Sequence, residues 1–308
     1  MLVVLTGGTG GAKFIHGLSR IVDPEDLVIV CNTGDDFTLH GLKISPDLDT
    51  IMYTLAGVSD GAKGWGIRRE TFRALQQLET YGAETWFKLG DKDLATHIVR
   101  TALMRAGQGL SEITETLRRA LGVRAKILPM SNQPVETRVE TPGGEISFQE
   151  YFVKQHWQPE VNRVSYKGIR DSQPAPGILE AIGVAAAILI CPSNPVTSIG
   201  PILAVPGIRQ ALRKAAAPVI AVSPIIGSLA ISGPAHKLMA AQGLEVSAFG
   251  VAHDYRDFLD AFVLDTEDKG LGRRITRLGI EFLTTSIRIT SLAEKRRLAR
   301  EVLAFVEK

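Results

Sequence analysis

Residues 1–14, MLVVLTGGTGGAKF, decide the fold of this chain. The run from Leu2 to Leu5 is apolar, and its length and β-branched content suit a buried strand. Glycines crowd the next residues, and a helix-like stretch over residues 12–21 follows, with Phe14, Leu18 and Ile21 on one face. A strand, a glycine turn and a helix in this order are typical of doubly wound α/β proteins. In such folds the turn brings backbone N–H groups and the positive end of a helix to a phosphate.

The glycine pattern itself leaves an alternative open. GGTGG is neither a full G-x-G-x-x-G fingerprint nor a G-x-x-x-x-G-K-[ST] loop, because no Ser or Thr follows Lys13 to hold a metal. The alternative is a turn that serves only close packing between the strand and the helix. We predict a phosphate cradle at this turn.

Composition and charge exclude several classes of protein. Of 308 residues, 45% are hydrophobic and 22% are charged, and 35 basic against 33 acidic residues give a net charge of +2. This balance gives no electrostatic reason to expect nucleic acid as a partner. The two cysteines, Cys31 and Cys191, indicate neither a disulfide framework nor a zinc site. The sequence shows no signal peptide or membrane span, so we expect a cytoplasmic protein that does not bind membranes. Apolar faces on the α/β core favour a homodimer.

Apolar segments with strand character recur along the chain. They lie at residues 2–5, 26–31, 125–130, 187–191, 219–222, 261–264 and 280–283. Helical spacing predicts three consecutive helices at 69–80, 93–106 and 111–121, which indicates a helical cap, and a further helix at 291–306. Residues 135–139 and 145–148 predict a hairpin, whereas residues 37–46 and 151–175 predict irregular links.

We therefore predict an α/β fold. It is a Rossmann-like, doubly wound, mostly parallel sheet with a helical cap and a small β-containing insertion. Residues 1–308 would form a single α/β domain with a smaller lobe around residues 135–180.

Short polar turns end the predicted strands: GGTGG, NTGDD, MSNQP, PSNP and SPIIG. In a parallel sheet these turns share the carboxyl edge, where ligands bind in such folds. Turns rich in Gly, Ser, Thr and Asn on one edge suit a large ligand that carries phosphate and a polar base or sugar.

Clustered acids accompany the glycine turn. Asp35, Asp36, Asp47 and Asp49 would repel a phosphate unless a cation lay between, and Mg²⁺ held by carboxylates and phosphate oxygens is the usual solution. The alternative for any one of them is a cap or turn role. We predict all four as metal ligands, with Asp49 as ligand or general base and Asp36 sharing the ion.

Two further groups are ambiguous. Lys88 and Asp91 belong to a mixed-charge helix start, with His97 on the same face as Asp93, and a solvated helix end is the alternative. Trp65 either stacks on a flat ring or closes the edge of the core. No nucleophile–histidine arrangement stands out, so we expect no covalent enzyme intermediate.

The motifs together resemble the 2-phospho-L-lactate transferase family of deazaflavin coenzyme F-420 biosynthesis, from residue 2 to about residue 265. The segments that carry the resemblance are LTGGTGGAKF, NTGDDFTLHGLKISPDLDT, GWGI, KLGDKDLATHIVR, ILPMSNQPVET, PSNPVTSIGPIL and AVSPIIGSLAISGPAHKLM.

The resemblance implies a magnesium-dependent transfer. The donor would be a guanosine diphosphate ester of a three-carbon acid, the acceptor a hydroxyl of 7,8-didemethyl-8-hydroxy-5-deazariboflavin, and the leaving group GMP. Lactyl, enolpyruvyl and glyceryl donors remain open, because an apolar pocket separates such groups by only about 1–3 kcal/mol.

The resemblance also implies roles for named residues. Asp49 and Lys88 would lie at the deazaflavin site, where we also predict Trp65 and Asp91, and Asp49, Asp36 and Lys88 would be catalytic. The nucleotide would be bound by residues of the GGTGG, SNP and SIGP motifs: Gly7, Gly8, Thr9, Gly10, Gly11, Lys13, Ser193, Asn194, Ser198 and Gly200.

Two alternatives belong to other classes. Gluconeogenesis-factor-type proteins, which resemble nucleotide-sugar-binding regulators without enzymatic activity, share the glycine turn. They would be expected to carry a DDGGSSGRL-like run where this chain has DDFTLHGLKISPDLDT. A dinucleotide oxidoreductase needs an acid ending the second strand, and the GGTGG spacing and clustered carboxylates argue against it.

Overall fold

The computed structural model describes residues 1–61, 64–231 and 233–306. The predicted loop at 57–66 therefore lies partly outside the described residues. Within these ranges, none of the helices combines the length and apolar character that crossing a bilayer requires.

Strands in the described ranges are short. In chain order they are β1 (Leu2–Thr6), β2 (Leu27–Cys31), β3 (Phe37–Leu39), β4 (Leu42–Ile44), β5 (Lys126–Pro129), β6 (Glu136–Thr141), β7 (Gly144–Ser147), β8 (Arg163–Lys167), β9 (Ala187–Ile190), β10 (Val219–Val222), β11 (Ile225–Ile226), β12 (Leu229–Ala230), β13 (Ala261–Leu264) and β14 (Glu281–Thr284).

Helices separate most of these strands. They are α1 (Thr9–Leu18), α2 (Pro46–Leu55), α3 (Arg73–Thr80), α4 (Asp91–Arg105), α5 (Leu110–Ala120), α6 (Ile178–Val184), α7 (Gly200–Ala204), α8 (Ile208–Lys214), α9 (Ala235–Ala241), α10 (Ala248–Tyr255), α11 (Gly272–Thr276) and α12 (Leu292–Val306). The three consecutive helices α3, α4 and α5 confirm the predicted break in the strand–helix alternation.

The central sheet has seven strands in the order β14-β13-β10-β9-β1-β2-β5. All of its neighbouring pairs are parallel, including β1 with β2 and β1 with β9. The chain builds outward from β1 through β2 to β5 and then returns to the other side of β1 at β9. This reversal leaves a crevice beyond the carboxyl ends of β1 and β9, which is where doubly wound folds bind ligands. The predicted α/β fold is confirmed.

Both faces of the sheet are covered, because successive side chains of each strand point to opposite faces. Val3 and Leu5 join one apolar cluster, together with residues of α6, α8 and α10. Val4 joins the other, which includes residues of α1, α2, α5 and α12. Burial on both faces explains why these strands are nearly continuous apolar runs.

Two predictions of irregular structure were wrong. Residues 37–46 contain the antiparallel pair β3–β4, whose strands are too short for a periodic signal and are stabilised by packing of Leu39 and Ile44 on Leu89. Residues 151–175 contain β8, which pairs with β6 to extend the predicted β6–β7 hairpin into a three-stranded sheet. Opposite charges face each other across this pair at Glu136–Lys167 and Glu140–Arg163, and such cross-strand pairs stabilise a sheet that has little apolar alternation.

The crossing of α1 and α12 allows no side chain at Gly17. A Cβ added there would overlap the backbone carbonyl of Lys295 at the start of α12. We expect Gly17→Ala to lower the free energy of unfolding by about 1–3 kcal/mol, as overpacking of a core does. Gly183→Ala in α6 is the matched control, because a Cβ there meets nothing within 4 Å. Denaturant midpoints measure both, and an unchanged midpoint for Gly17→Ala would contradict the close crossing.

Candidate functional site

A cavity of about 480 Å³ opens at the crevice beyond β1 and β9. Its lining comes from the glycine turn after β1, the acidic turn after β2, the start of α2 and the turn after β9. Residues far apart in sequence, from Gly8 to Ala235, therefore meet at one place. The structure therefore confirms that the turns after β1, β2 and β9 converge at the carboxyl edge of the sheet, as predicted.

The glycine turn presents the start of α1 to the cavity. Gly8, Thr9 and Gly10 line it, and no side chain caps the first turn of α1. The backbone N–H groups of a helix start have no partner within the helix, and together with the helix dipole they favour an anion. A Cβ at Gly8 would overlap Oδ1 of Asp47, so the close approach of turn and carboxylate requires glycine.

The turn after β9 lines the cavity together with the glycine turn, and the two form its polar half. Ser193, Asn194 and Ser198 all line the cavity. The backbone N–H of Gly7 donates to Ser193 Oγ at 3.2 Å, so the two turns are joined directly. Asn194 Oδ1 accepts from the backbone N–H groups of the following π-helical turn, at 2.9 Å from Val196, which holds the Asn194 side chain at the rim.

The remaining predicted nucleotide residues lie outside the cavity lining. Gly7 and Gly11 pack behind the turn, where added Cβ atoms would overlap Ser198 and Thr6 respectively. Gly200 packs on the hydroxyl of Tyr166, and Lys13 is not among the lining residues. Direct contact of these four residues with the nucleotide stays a prediction. The observed role of the three glycines is to allow close packing around the turns.

Asp35 and Asp47 face the cavity beside the glycine turn. Asn32 Nδ2 donates to Asp47 Oδ2 at 2.9 Å, whereas Oδ1 of Asp35 is buried without a hydrogen-bond partner among the described residues. Burial raises the pKa of both carboxyl groups. The charge of Asp47 raises the pKa of Asp35 further, and the charge of Asp36 raises that of Asp47. Two carboxylates with this mutual repulsion and an unpartnered oxygen fit a divalent cation between them.

Asp36 lies behind this pair and outside the cavity lining. Ser45 Oγ donates to its Oδ2 at 2.7 Å, and Lys43 Nζ lies 3.7 Å from the same oxygen. Burial raises the pKa of Asp36 to about 6, against the opposing effect of the Lys43 charge. Oδ2 of Asp36 therefore has protein partners, whereas its Oδ1, like Oδ1 of Asp35, is buried without a hydrogen-bond partner among the described residues.

Asp49 is paired with Arg100. The Arg100 guanidinium binds both carboxylate oxygens, with Nη1 at 3.0 Å from Oδ2, and the Arg100 side chain is 1% exposed. A bidentate pair of this kind is the strongest form of carboxylate–guanidinium contact. Asp49 is also absent from the cavity lining, so the structure separates it from the two carboxylates that it was predicted to join.

A histidine extends the buried pair. Arg100 Nη1 lies 3.1 Å from His97 Nδ1, and because arginine can only donate, this nitrogen must accept. The proton of a neutral His97 then sits on Nε2, which lies 3.3 Å from Asp93 Oδ1. Asp49, Asp93 and His97 have the spacing of metal ligands, but the guanidinium already supplies the positive charge there.

Sequence reasoning missed Arg100. The signal was available, because Asp93, His97 and Arg100 recur at helical spacing on one face of α4. All three are buried, so the alternative of a solvated helix end was wrong for this face.

The predicted deazaflavin residues are divided between the cavity and its surroundings. Lys88 and Trp65 line the cavity, and no salt bridge to another described residue involves Lys88. Asp91 instead accepts from Thr71 Oγ1 at 2.5 Å and from backbone N–H groups of Arg73 and Ala74 at the start of α3. The Thr71 hydrogen bond and these backbone bonds lower the pKa of Asp91. Its observed role is to cap a helix.

An apolar half of the cavity was not predicted from the sequence. It is formed by a residue before α4, the segment that follows β7, the turn after β10 and the chain leading into α9: Phe87, Phe148, Gln149, Phe152, Val153, Pro224, Ile231, Gly233, Pro234 and Ala235. Phe148 and Phe152 stack with ring centroids 5.5 Å apart. A polar half beside an apolar, aromatic half suits a ligand with phosphates at one end and a flat ring at the other.

Comparisons with known proteins identify the family of this chain. A family model described as 2-phospho-L-lactate transferase CofD matches residues 2–278. The chain is 44% identical over 306 residues to a 2-phospho-L-lactate transferase of Methanosarcina acetivorans, with 99% of each chain covered. It is 45% identical over 312 residues to a phosphoenolpyruvate transferase of Streptomyces griseus, covering 99% of this chain and 98% of the relative.

A solved structure shares the fold. The crystal structure of a UPF0052 family protein from Bacillus halodurans aligns over 98% of each chain with a TM-score of 0.63 and 18% identity. At this identity the likeness concerns the fold alone, whereas the sequence relatives and the family model span the glycine turn, the acidic turn and the turn after β9. The chain belongs to the 2-phospho-L-lactate transferase CofD family.

Proposed function

We propose that this protein transfers a phosphorylated three-carbon acid from a guanosine diphosphate ester to the deazaflavin acceptor of coenzyme F-420 biosynthesis, with release of GMP. The acceptor hydroxyl attacks the phosphorus that bears the acid. The bond between this phosphorus and the bridging oxygen breaks, and that oxygen leaves with GMP. The product is a phosphodiester, and the hydroxyl proton passes to a base.

One observation supports this proposal most directly. The uncapped start of α1, the Asp35–Asp47 pair and the Lys88 side chain line the same cavity at the crevice of the sheet. A diphosphate needs positive charge near its oxygens when the bond breaks, which the start of α1, Lys88 and a cation held by the two acids would supply.

The protein's own groups have separable tasks in this proposal. The N–H groups of the glycine turn and the hydroxyls of Ser193 and Ser198 would bind the diphosphate oxygens. Lys88 would offset the charge that develops on the leaving phosphate. Asp35 and Asp47 would hold Mg²⁺, and a carboxylate oxygen of this pair is the candidate acceptor for the hydroxyl proton.

The magnesium ion would supply a positive charge that polarises the phosphoryl oxygens. The unpartnered Oδ1 of Asp35 and the raised pKa values of Asp35 and Asp47 fit such an ion. Asp36 and Asp49, the other two predicted ligands, would position this pair through Ser45 and α2. A direct catalytic role for Asp49 would require Arg100 to release it.

The donor acid remains to be assigned, and relatives of similar identity are named for lactate and for phosphoenolpyruvate. Incubation with the deazaflavin, Mg²⁺ and each of the lactyl, enolpyruvyl and glyceryl donors, followed by mass spectrometry of GMP, tests the proposal. We expect GMP and the coupled product with at least one donor. Tight binding of a uridine sugar with no turnover of any donor would favour the regulator.

Magnesium binding should depend on pH. Burial raises the pKa of Asp47 to about 7, so this carboxyl holds a proton at pH 5 that a metal must displace, and burial also raises the pKa of Asp35 well above its usual range. We expect Mg²⁺ to stabilise the protein by about 2.7 kcal/mol at pH 8 when its concentration is 100 times Kd, and by much less at pH 5. Thermal unfolding with Mg²⁺ and with EDTA measures the difference.

Asp47→Asn provides the site control for that measurement. It should lose the Mg²⁺-dependent stabilisation at pH 8, whereas Asp171→Asn, an exposed acid outside the cavity lining, should retain it. An unchanged Mg²⁺ response in Asp47→Asn would remove this carboxylate from the metal site.

Lys88→Ala should impair transfer without affecting folding, because the side chain is exposed in the cavity and has no salt bridge to a described residue. We expect kcat/KM to fall by about 10²–10³-fold, as when one preorganised electrostatic group is lost. Steady-state release of GMP measures this. Lys167→Ala is the matched control, an exposed lysine at the end of β8 that does not line the cavity. Equal kinetics for the two variants would exclude the role of Lys88.

A further inference from the structure

Gln149 is a buried polar side chain in the apolar half of the cavity. It is 6% exposed and lines the cavity. In the sequence it lies between Phe148 and Phe152, whose rings stack on each other. It precedes the π-helical turn Glu150–Lys154, but its side chain does not cap that turn. No hydrogen bond to another described residue involves its carboxamide.

The Gln149 carboxamide is not among the fully buried groups that lack a partner, so it is accessible from the cavity, and a ligand that fills this half of the cavity would bury it. Burying an amide without a hydrogen bond is unfavourable, and most buried polar side chains in proteins have partners. Phe148, Phe152 and Val153, the side chains close to it in sequence that line the same cavity, have no donor or acceptor of their own. The carboxamide therefore offers one N–H donor and one C=O acceptor, side by side, to whatever fills this half.

The matching ligand edge also has a donor beside an acceptor. A lactam or imide edge of a flat heterocycle has N–H next to C=O, and a carboxamide in its plane can form both bonds at once. The aromatic walls provide the faces on which such a ring stacks. The glycine turn and the turn after β9 line the same cavity, so a ring here would belong to a ligand whose charged groups meet those turns.

We propose that Gln149 determines ring specificity by binding the lactam or imide edge of a heterocycle in the aromatic half of the cavity. This inference rests on the proposed function, in which both the guanine of the donor and the pyrimidinedione of the deazaflavin carry such an edge. The shared chemistry is the N–H/C=O pair, and the experiment separates the two sources.

The test compares each ring with a version methylated on the edge nitrogen. Equilibrium binding is measured for the deazaflavin and its N3-methyl derivative, and for GMP and 1-methyl-GMP, with wild type and with Gln149→Met. Methionine retains length and volume but removes both hydrogen-bonding groups. Gln155→Met is the matched control, an exposed glutamine that ends the same π-helical turn and does not line the cavity.

We expect wild type and Gln155→Met to bind one parent ring about 10–100-fold more tightly than its methylated form, and Gln149→Met to lose this preference. The ring that shows the effect is the one bound at Gln149. A merely structural role would weaken parent and methylated rings equally. Equal weakening, an unchanged preference in Gln149→Met, or binding of neither ring by wild type would each overturn the inference.

Turnover measured in parallel separates this inference from the proposed function. If ring binding depends on Gln149 but no donor yields GMP, the transferase proposal fails and the role of Gln149 stands. If GMP is released while Gln149→Met keeps the ring preference, the transferase proposal stands and the role of Gln149 fails.

Discussion

The buried side chain of Asn32, at the end of β2, holds the parts of the site together. Its Nδ2 donates to Asp47 Oδ2 at 2.9 Å and to the Thr197 carbonyl at 3.1 Å, and its Oδ1 accepts from the backbone N–H of Gly34 at 2.8 Å. One amide thus joins the acidic turn, the start of α2 and the turn after β9. Because Asn32 is fully buried, these bonds have no competition from water, and the position of Asp47 beside the glycine turn follows from them.

Charge is distributed unequally behind and in front of this amide. Lys43 lies near Asp36 and Arg100 pairs with Asp49, so the rear carboxylates have positive partners inside the protein. Asp35 and Asp47 have no positive partner among the described residues, and burial raises their pKa values. A chain that buries Asp35, Asp36 and Asp49 and half-buries Asp47 must neutralise each of these carboxylates. In this protein Asp36 and Asp49 are neutralised by cationic side chains, which leaves Asp35 and Asp47 suited to an external cation.

The sequence predicted the regular elements better than the short ones. The strands β1, β2 and β9 were evident because burial on both sheet faces makes them continuous apolar runs. The strands β3, β4 and β8 were missed, since none of them is a continuous apolar run. The pair β3–β4 depends on packing against Leu89, which is distant in sequence, and β8 faces β6 through opposite charges. Arg100 was missed for a related reason, because a basic residue on a helix is usually solvated, whereas this one is buried and paired with Asp49 of α2.

The sequence by itself determined the α/β fold, the glycine turn and the order of the polar turns, because these follow from local hydrophobic pattern and from backbone freedom. It also identified the set of acids from which the site is built. Only the tertiary structure decided which acids share the cavity, that Asp91 caps a helix, and that Gln149 faces the aromatic half. These assignments depend on contacts between charges and rings from segments that are distant in sequence. Local sequence patterns do not show which of these segments meet.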